Sequence, residues 1–122
     1  MGVVGLDHVQ VAAPRTDDTE RIARDFYGGL LGLAEMPKPA ALQKKGGVWF
    51  SLGRGELHVG IEEPFAPALR AHPALEVQDL AELRKSLEAQ GVKTAEAEVI
   101  PGVQRFYVSD PFGNRIELME KR

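Results

Sequence analysis

The chain holds three histidines, His8, His58 and His72, each in a strand-like stretch and each on the side opposite that stretch's aliphatic residues. In Leu6 to Val11, Val9 and Val11 alternate with His8 and Gln10; in Glu56 to Glu62, Leu57, Val59 and Ile61 alternate with His58. Leu75 and Val77 oppose His72, and Ile116 and Leu118 oppose Glu117. Strand side chains alternate between faces, so the aliphatic residues mark the core side and the four polar groups share the other. Imidazoles and a carboxylate gathered on one face suit a divalent metal. With no cysteine in the chain, thiolate sites, disulfides and Cys nucleophiles are excluded.

The elements that must carry these residues follow from turn and capping signals. A first strand ends near Ala13-Pro14. Asp17 or Asp18 caps a helix through Ile22, Ala23 and Phe26 that stops at Gly28-Gly29, with Ile22, Phe26 and Leu30 as its apolar face. An extended piece from Leu33 to Met36 runs into Pro37 and Pro39. Lys44-Lys45-Gly46-Gly47 is a turn, Val48 to Leu52 a strand, Gly53-Arg54-Gly55 a tight hairpin and Glu56 to Glu62 its partner. Pro64 and Pro67 then forbid a continuing strand. After this joint the order repeats: His72 to Val77 as a strand, a helix capped by Asp79 with the stripe Leu80, Leu83 and Leu87, and a stop at Gly91. Extended pieces follow at Thr94 to Val99, Val103 to Ser109 and Arg115 to Glu120, the last two joined by the turn Asp110-Pro111-Phe112-Gly113-Asn114.

The fold class expected is α+β: two βαβββ modules whose sheets make one curved, mixed sheet with a trough. The 122 residues form a single domain, with module 1 at about 1–63, a joint at about 63–71 and module 2 at about 72–122. A net charge of −3 with scattered Lys and Arg leaves no electrostatic footprint for nucleic acid or an anionic membrane. No apolar stretch reads as a signal peptide or a membrane span, so a cytoplasmic protein acting on a small molecule is expected.

Four stretches carry a family resemblance: Leu6-Asp7-His8-Val9, Asp25 through Leu33 (DFYGGLLGL), His72 through Val77 (HPALEV) and Asp110 through Leu118 (DPFGNRIEL). In this order and spacing they resemble the vicinal oxygen chelate superfamily, which includes glyoxalase I, extradiol ring-cleaving dioxygenases, fosfomycin-resistance thiol transferases and bleomycin-binding proteins. The resemblance implies a metal triad of His8, His72 and Glu117. The position where glyoxalase I adds a Glu that ligates metal and moves protons is taken here by His58, an imidazole with a different proton affinity. The implied cofactor is one divalent metal ion per site, Zn, Ni, Co, Mn or Fe. Glu117 and His58 are the candidate catalytic groups.

By alternation Gln10, Trp49, Arg105, Tyr107 and Met119 fall on the trough face. Of these, Gln10, Trp49, Arg105 and Tyr107 are the candidate substrate-binding residues. Arg105 can hold a substrate carboxylate, phosphonate or enolate, or pair with Glu117; Trp49 can offer a platform to a substrate or pack against His58. The expected function is a metal-dependent, glyoxalase-like enzyme acting on vicinal oxygens. The alternatives are a metal-independent antibiotic-binding protein of the bleomycin-resistance type, an extradiol dioxygenase-like enzyme and a fosfomycin thiol-transferase-like enzyme. The resemblance also implies a homodimer, with sites formed within a chain or across exchanged modules.

Overall fold

Each alternating run becomes a strand with its aliphatic side buried. The computed structural model describes residues 1–122 and forms two compact units, Met1–Ala66 and Pro67–Arg122. In the first, β1 (His8–Ala13), β2 (Ala34–Met36), β3 (Val48–Ser51) and β4 (Glu56–Ile61) form a mixed sheet in the order β1-β4-β3-β2. In the second, β5 (Ala74–Glu76), β6 (Thr94–Glu96), β7 (Val103–Ser109) and β8 (Arg115–Lys121) form a sheet in the order β5-β8-β7-β6. In both, the first and last strands are parallel and the other neighbours antiparallel. Helices α1 (Thr19–Ala23) and α3 (Leu80–Ala89) follow the first strands, which makes the expected α+β fold of two βαβββ units; a short helix, α2 (Ala40–Gln43), was not expected.

Several local expectations are corrected. The first helix does not stop at Gly28-Gly29: beyond α1 the chain continues as a π-helix over Arg24–Leu30, and the Leu31 amide reaches the Phe26 carbonyl at 2.9 Å. The wider winding buries the adjacent Phe26 and Tyr27 together, with Tyr27 tilted against Phe50 at 5.8 Å. Tyr27 is thus a core residue outside the predicted Ile22, Phe26, Leu30 face, and aromatic burial outweighs the poor helix propensity of two glycines. Neither aspartate caps with its carboxylate. Asp18 occupies the first N-cap without a side-chain bond, and the Thr16 and Thr19 hydroxyls organise that turn instead. Asp79 is left-handed (φ 54°) rather than in the usual extended N-cap geometry, and Glu120 from β8 accepts from the Asp79 and Leu80 amides at 3.1 and 2.9 Å.

Two expected strands are shorter than read. β6 ends at Glu96, and Val99 is exposed in the segment beyond it. β5 covers Ala74 to Glu76, with His72 just before it, although the ladder to β8 extends from the Pro73 carbonyl, which accepts from Glu117 at 3.0 Å, to the Val77 amide. The apolar sides of the strands are covered in each unit: Phe50 and Leu57 in the first, and Phe106, Ile116 and Leu118, with Leu87 of α3, in the second. One glycine is fixed by contact: at Gly47 (φ 94°) a Cβ would lie 2.2 Å from the Val59 carbonyl oxygen.

The turn between β7 and β8 sets where β8 begins. The Asp110 carboxylate, 4% exposed, accepts from the amides of Phe112 and Asn114 at 2.9 and 2.8 Å and from the Asn114 side-chain amide at 2.9 Å. The Asp110 amide in turn reaches the Asn114 carbonyl at 2.8 Å. Replacing Asp110 with Ala strands three donors in a buried turn. Asp110→Ala is therefore expected to lower unfolding stability in urea by about 3 kcal/mol, and a loss below about 1 kcal/mol would contradict this role.

Candidate functional site

In the second unit the register of β7 and β8 decides which side chains share the polar face. Tyr107 pairs with Glu117, Arg105 with Met119 and Ser109 with Arg115, so Arg105, Tyr107, Arg115, Glu117 and Met119 point the same way, opposite Phe106, Ile116 and Leu118. Ala74 of β5 also pairs with Glu117, and His72, two residues earlier, keeps that parity. The result is a tight polar cluster. His72 Nε2 lies 3.0 Å from Glu117 Oε1, and the Arg105 guanidinium lies 3.4 Å from the same oxygen. Arg105 also donates to the Tyr107 hydroxyl at 3.1 Å and twice to the Glu98 carbonyl, while the Tyr107 ring meets His72 edge-on at 5.2 Å. Arg105, read from sequence either as a grip for a substrate anion or as a partner of Glu117, turns its donors to Glu98, Tyr107 and Glu117, and its side chain is 14% exposed.

In the first unit three flat rings stack. β4 runs between β1 and β3; Gln10 and Trp49 both lie level with His58, and His8 lies two pairs earlier, level with Glu56. The His8 ring covers one face of His58 at 4.2 Å and Trp49 covers the other at 3.9 Å, nearly parallel at 3°. His58 is buried, with its Nε2 2.8 Å from Glu56 Oε1. His8 stays about half exposed at the end of the stack, with its Nδ1 held 2.8 Å from Asp7 Oδ1. Gln10 lies on the same face with its amide over Gly60, where a Cβ would lie 2.3 Å from it.

The chemistry of the donors tests whether a metal fits. The Arg70 carbonyl, 2.9 Å from His72 Nδ1, can only accept, so Nδ1 carries the proton and a neutral ring presents its Nε2 lone pair to Glu117 Oε1. Two acceptors at 3.0 Å need positive charge at the contact, from a second ring proton or from a metal ion. Arg105 is set farther off, and Glu117 Oε2 meets no protein donor. His8 repeats the arrangement, one nitrogen tied to a carboxylate and the other left open. Such anchoring through the second nitrogen is the usual support of a metal-binding imidazole, and nitrogen and oxygen donors suit first-row divalent ions. His72 and Glu117 in the second unit, and His8 in the first, are thus each donors of a kind a divalent metal takes. Neither unit by itself gathers three such groups around one point.

With this geometry in hand, the comparisons decide the family. A model of the glyoxalase/bleomycin resistance protein/dioxygenase superfamily matches residues 5–118. The chain belongs to this superfamily. A crystal structure of a protein assigned to the glyoxalase family from Bacillus anthracis is 50% identical, covers 100% of this chain and 98% of its own, and superposes with a TM-score of 0.93. A lactoylglutathione lyase from Agrobacterium tumefaciens (23% identity, 98% and 96% coverage, TM-score 0.73) shares the fold. So does the fosfomycin resistance protein FosX from Listeria monocytogenes (14% identity, 99% and 96% coverage, TM-score 0.76). The chain matches no curated protein. No helix is long and apolar enough to cross a membrane.

One member of the polar face escaped the sequence reading. Arg115 stands two residues before Glu117 and so shares its side; its guanidinium carbon lies over the Tyr107 ring, 3.8 Å from the ring centre. Alternation alone would have placed it there. For this glyoxalase-superfamily chain the buried Glu117 charge is partly offset by the Arg105 guanidinium. Glu117→Gln keeps the shape and lets the amide donate to His72 Nε2. In urea unfolding of the metal-free protein, Glu117→Gln, which takes the charged partner from the Arg105 guanidinium, is expected to cost about 3 kcal/mol; a variant as stable as the parent would contradict this reading.

Proposed function

We propose that the chain is a metal-dependent enzyme of the glyoxalase type that acts on a small molecule bearing neighbouring oxygens. The observation that carries this is the His72 ring, anchored through Nδ1 with its Nε2 turned on the Glu117 carboxylate. His72 and Glu117 would hold the ion, and the family resemblance adds His8, from the same chain or from a second copy. Bound there, a divalent ion supplies Lewis acidity toward an enolate or alkoxide formed on the substrate's two oxygens. Membership in the superfamily supports action on a small molecule.

The chain's own residues divide the remaining work. Arg105 fixes Glu117 by one oxygen and Tyr107 by its hydroxyl, which holds the carboxylate in one orientation while leaving Oε2 open to take a proton from a carbon beside the chelated oxygens. His58 buttresses His8: stacked beneath it and tied to Glu56, it keeps the His8 ring in one plane. Its fourth-ligand role, implied by position, is the alternative, and the two predict different losses on mutation. Trp49 closes the stack from the other side and is a candidate aromatic surface for an apolar portion of the substrate.

Elemental analysis of the purified chain after chelation and refilling with Zn, Ni, Co, Mn or Fe(II) tests the proposal. About one equivalent per chain is expected, and zinc at a hundredfold excess over its Kd should raise unfolding stability by about 2.7 kcal/mol. His72→Ala and Glu117→Ala should weaken retention by about 100-fold or more, and His58→Ala by about tenfold if it only supports His8. Absence of metal under every loading condition would overturn the enzyme reading and favour the metal-independent binding protein.

A further inference from the structure

The second unit holds a cavity of about 390 Å³ beside the polar cluster, walled by Pro67, Ala68, Leu69, Lys93, Tyr107 and Arg115 among others. Its size is that of a small-molecule pocket. Its charges are unbalanced. The Glu96 carboxylate at its edge is already neutralised by Arg84, which also donates to the Thr94 hydroxyl. Lys93 and Arg115 have no hydrogen-bond or ion-pair partner in the protein. Arg115 differs in this from Arg105, which is consumed by Glu98, Tyr107 and Glu117: the central carbon of the Arg115 guanidinium lies over the Tyr107 ring at 3.8 Å, and its donors are free. A guanidinium stacked on a ring is held in place without loss of its fork, the geometry that receives a carboxylate through two parallel bonds. Leu69, 95% exposed, and the small Ala68 give the same cavity an apolar side.

We propose that Arg115 anchors the carboxylate of an amphiphilic organic anion whose apolar body lies along Pro67, Ala68 and Leu69, and that this anion is the far end of the substrate. The second clause rests on the metal-dependent reading above. Tyr107 connects the two places, its ring T-shaped against His72 and under the guanidinium carbon of Arg115. The substrate class is then a molecule with two neighbouring oxygens at one end and a carboxylate at the other, and Arg115 is a specificity residue that discriminates charge at a point remote from the reacting atoms. The turn that begins β8 sets its position: Gly113 (φ 94°) comes so close to Pro67 that a Cβ there would lie 3.2 Å from its ring, which joins the cavity wall to the strand that carries Arg115 and Glu117.

The anchor is tested on the full-length, metal-free chain, independently of the metal site. Phenylacetate and phenylacetamide have the same shape and differ in charge. In ¹H–¹⁵N spectra, phenylacetate should produce saturable shifts at the Arg115 Nε–H and at the amides of Leu69, Ala95 and Tyr107, with an affinity at least about tenfold above that for phenylacetamide. Arg115→Gln should erase that ratio and Arg115→Lys should keep part of it. Leu69→Ala should weaken both ligands alike and leave the ratio intact, which guards against a variant that merely fails to fold. Equal affinity for the two probes in the parent, no binding of phenylacetate, or an undiminished ratio in Arg115→Gln would each overturn the anchor. Metal content measured on the same samples separates the failures: a lost anchor leaves metal binding in place, and an absent metal leaves the charge ratio in place.

Discussion

The carboxylate of Glu117 is the constraint around which the second unit's polar face is arranged. It sits on a strand between two others, 8% exposed, on the side of the sheet away from the aliphatic core. A buried charge is tolerated only with compensation. Here the compensation is partial: one oxygen is approached by Arg105 and faced by an imidazole nitrogen, and the other meets no protein donor. The surrounding contacts make sense as supports for that unfinished site. The Arg70 carbonyl fixes the His72 ring, Glu98 fixes Arg105, and the Asp110 turn fixes the start of the strand.

The first unit uses the same order of strands, with its first and last strands parallel, but solves a different problem. Its histidines are held by stacking rather than by charge. His58 is buried between His8 and Trp49, and only His8 keeps an open nitrogen toward solvent. One βαβββ plan thus presents an exposed, well-oriented imidazole in one unit and a nearly buried imidazole–carboxylate pair in the other. An imidazole and a carboxylate supplied on separate strands, each oriented by a further hydrogen bond, are what metal chemistry on small oxygenated substrates requires.

The period-two pattern made much of this legible. Faces follow from alternation wherever one side of a strand is buried, which is why His8, Gln10, Arg105, Tyr107 and Glu117 lie where the sequence puts them. What local pattern could not show is what depends on contacts distant in sequence. Glu120 caps a helix forty residues away, so nothing near Asp79 announces it. The π-helix through Gly28 and Gly29 exists because Phe26 and Tyr27 are both drawn into the core, a tertiary cause that overrides propensity. Arg105 and Arg115 look alike in sequence; only the geometry shows that one guanidinium is spent within the protein and the other is free. The family motifs Asp25 to Leu33 and Asp110 to Leu118 serve packing and a turn, and so they speak to fold rather than to reaction.

The Nε2 atoms of His72 and His8 are the proposed metal donors, and long-range ¹H–¹⁵N correlation of the imidazole rings during zinc titration tests this most directly. The account predicts that His72 is protonated at Nδ1 before zinc is added, keeps that proton throughout, and shows a saturable shift of Nε2 toward the metal-bound range, with Nε2 of His8 moving in parallel. An Nε2 of His72 that is untouched at saturating zinc, or a proton found there and not on Nδ1, would contradict it.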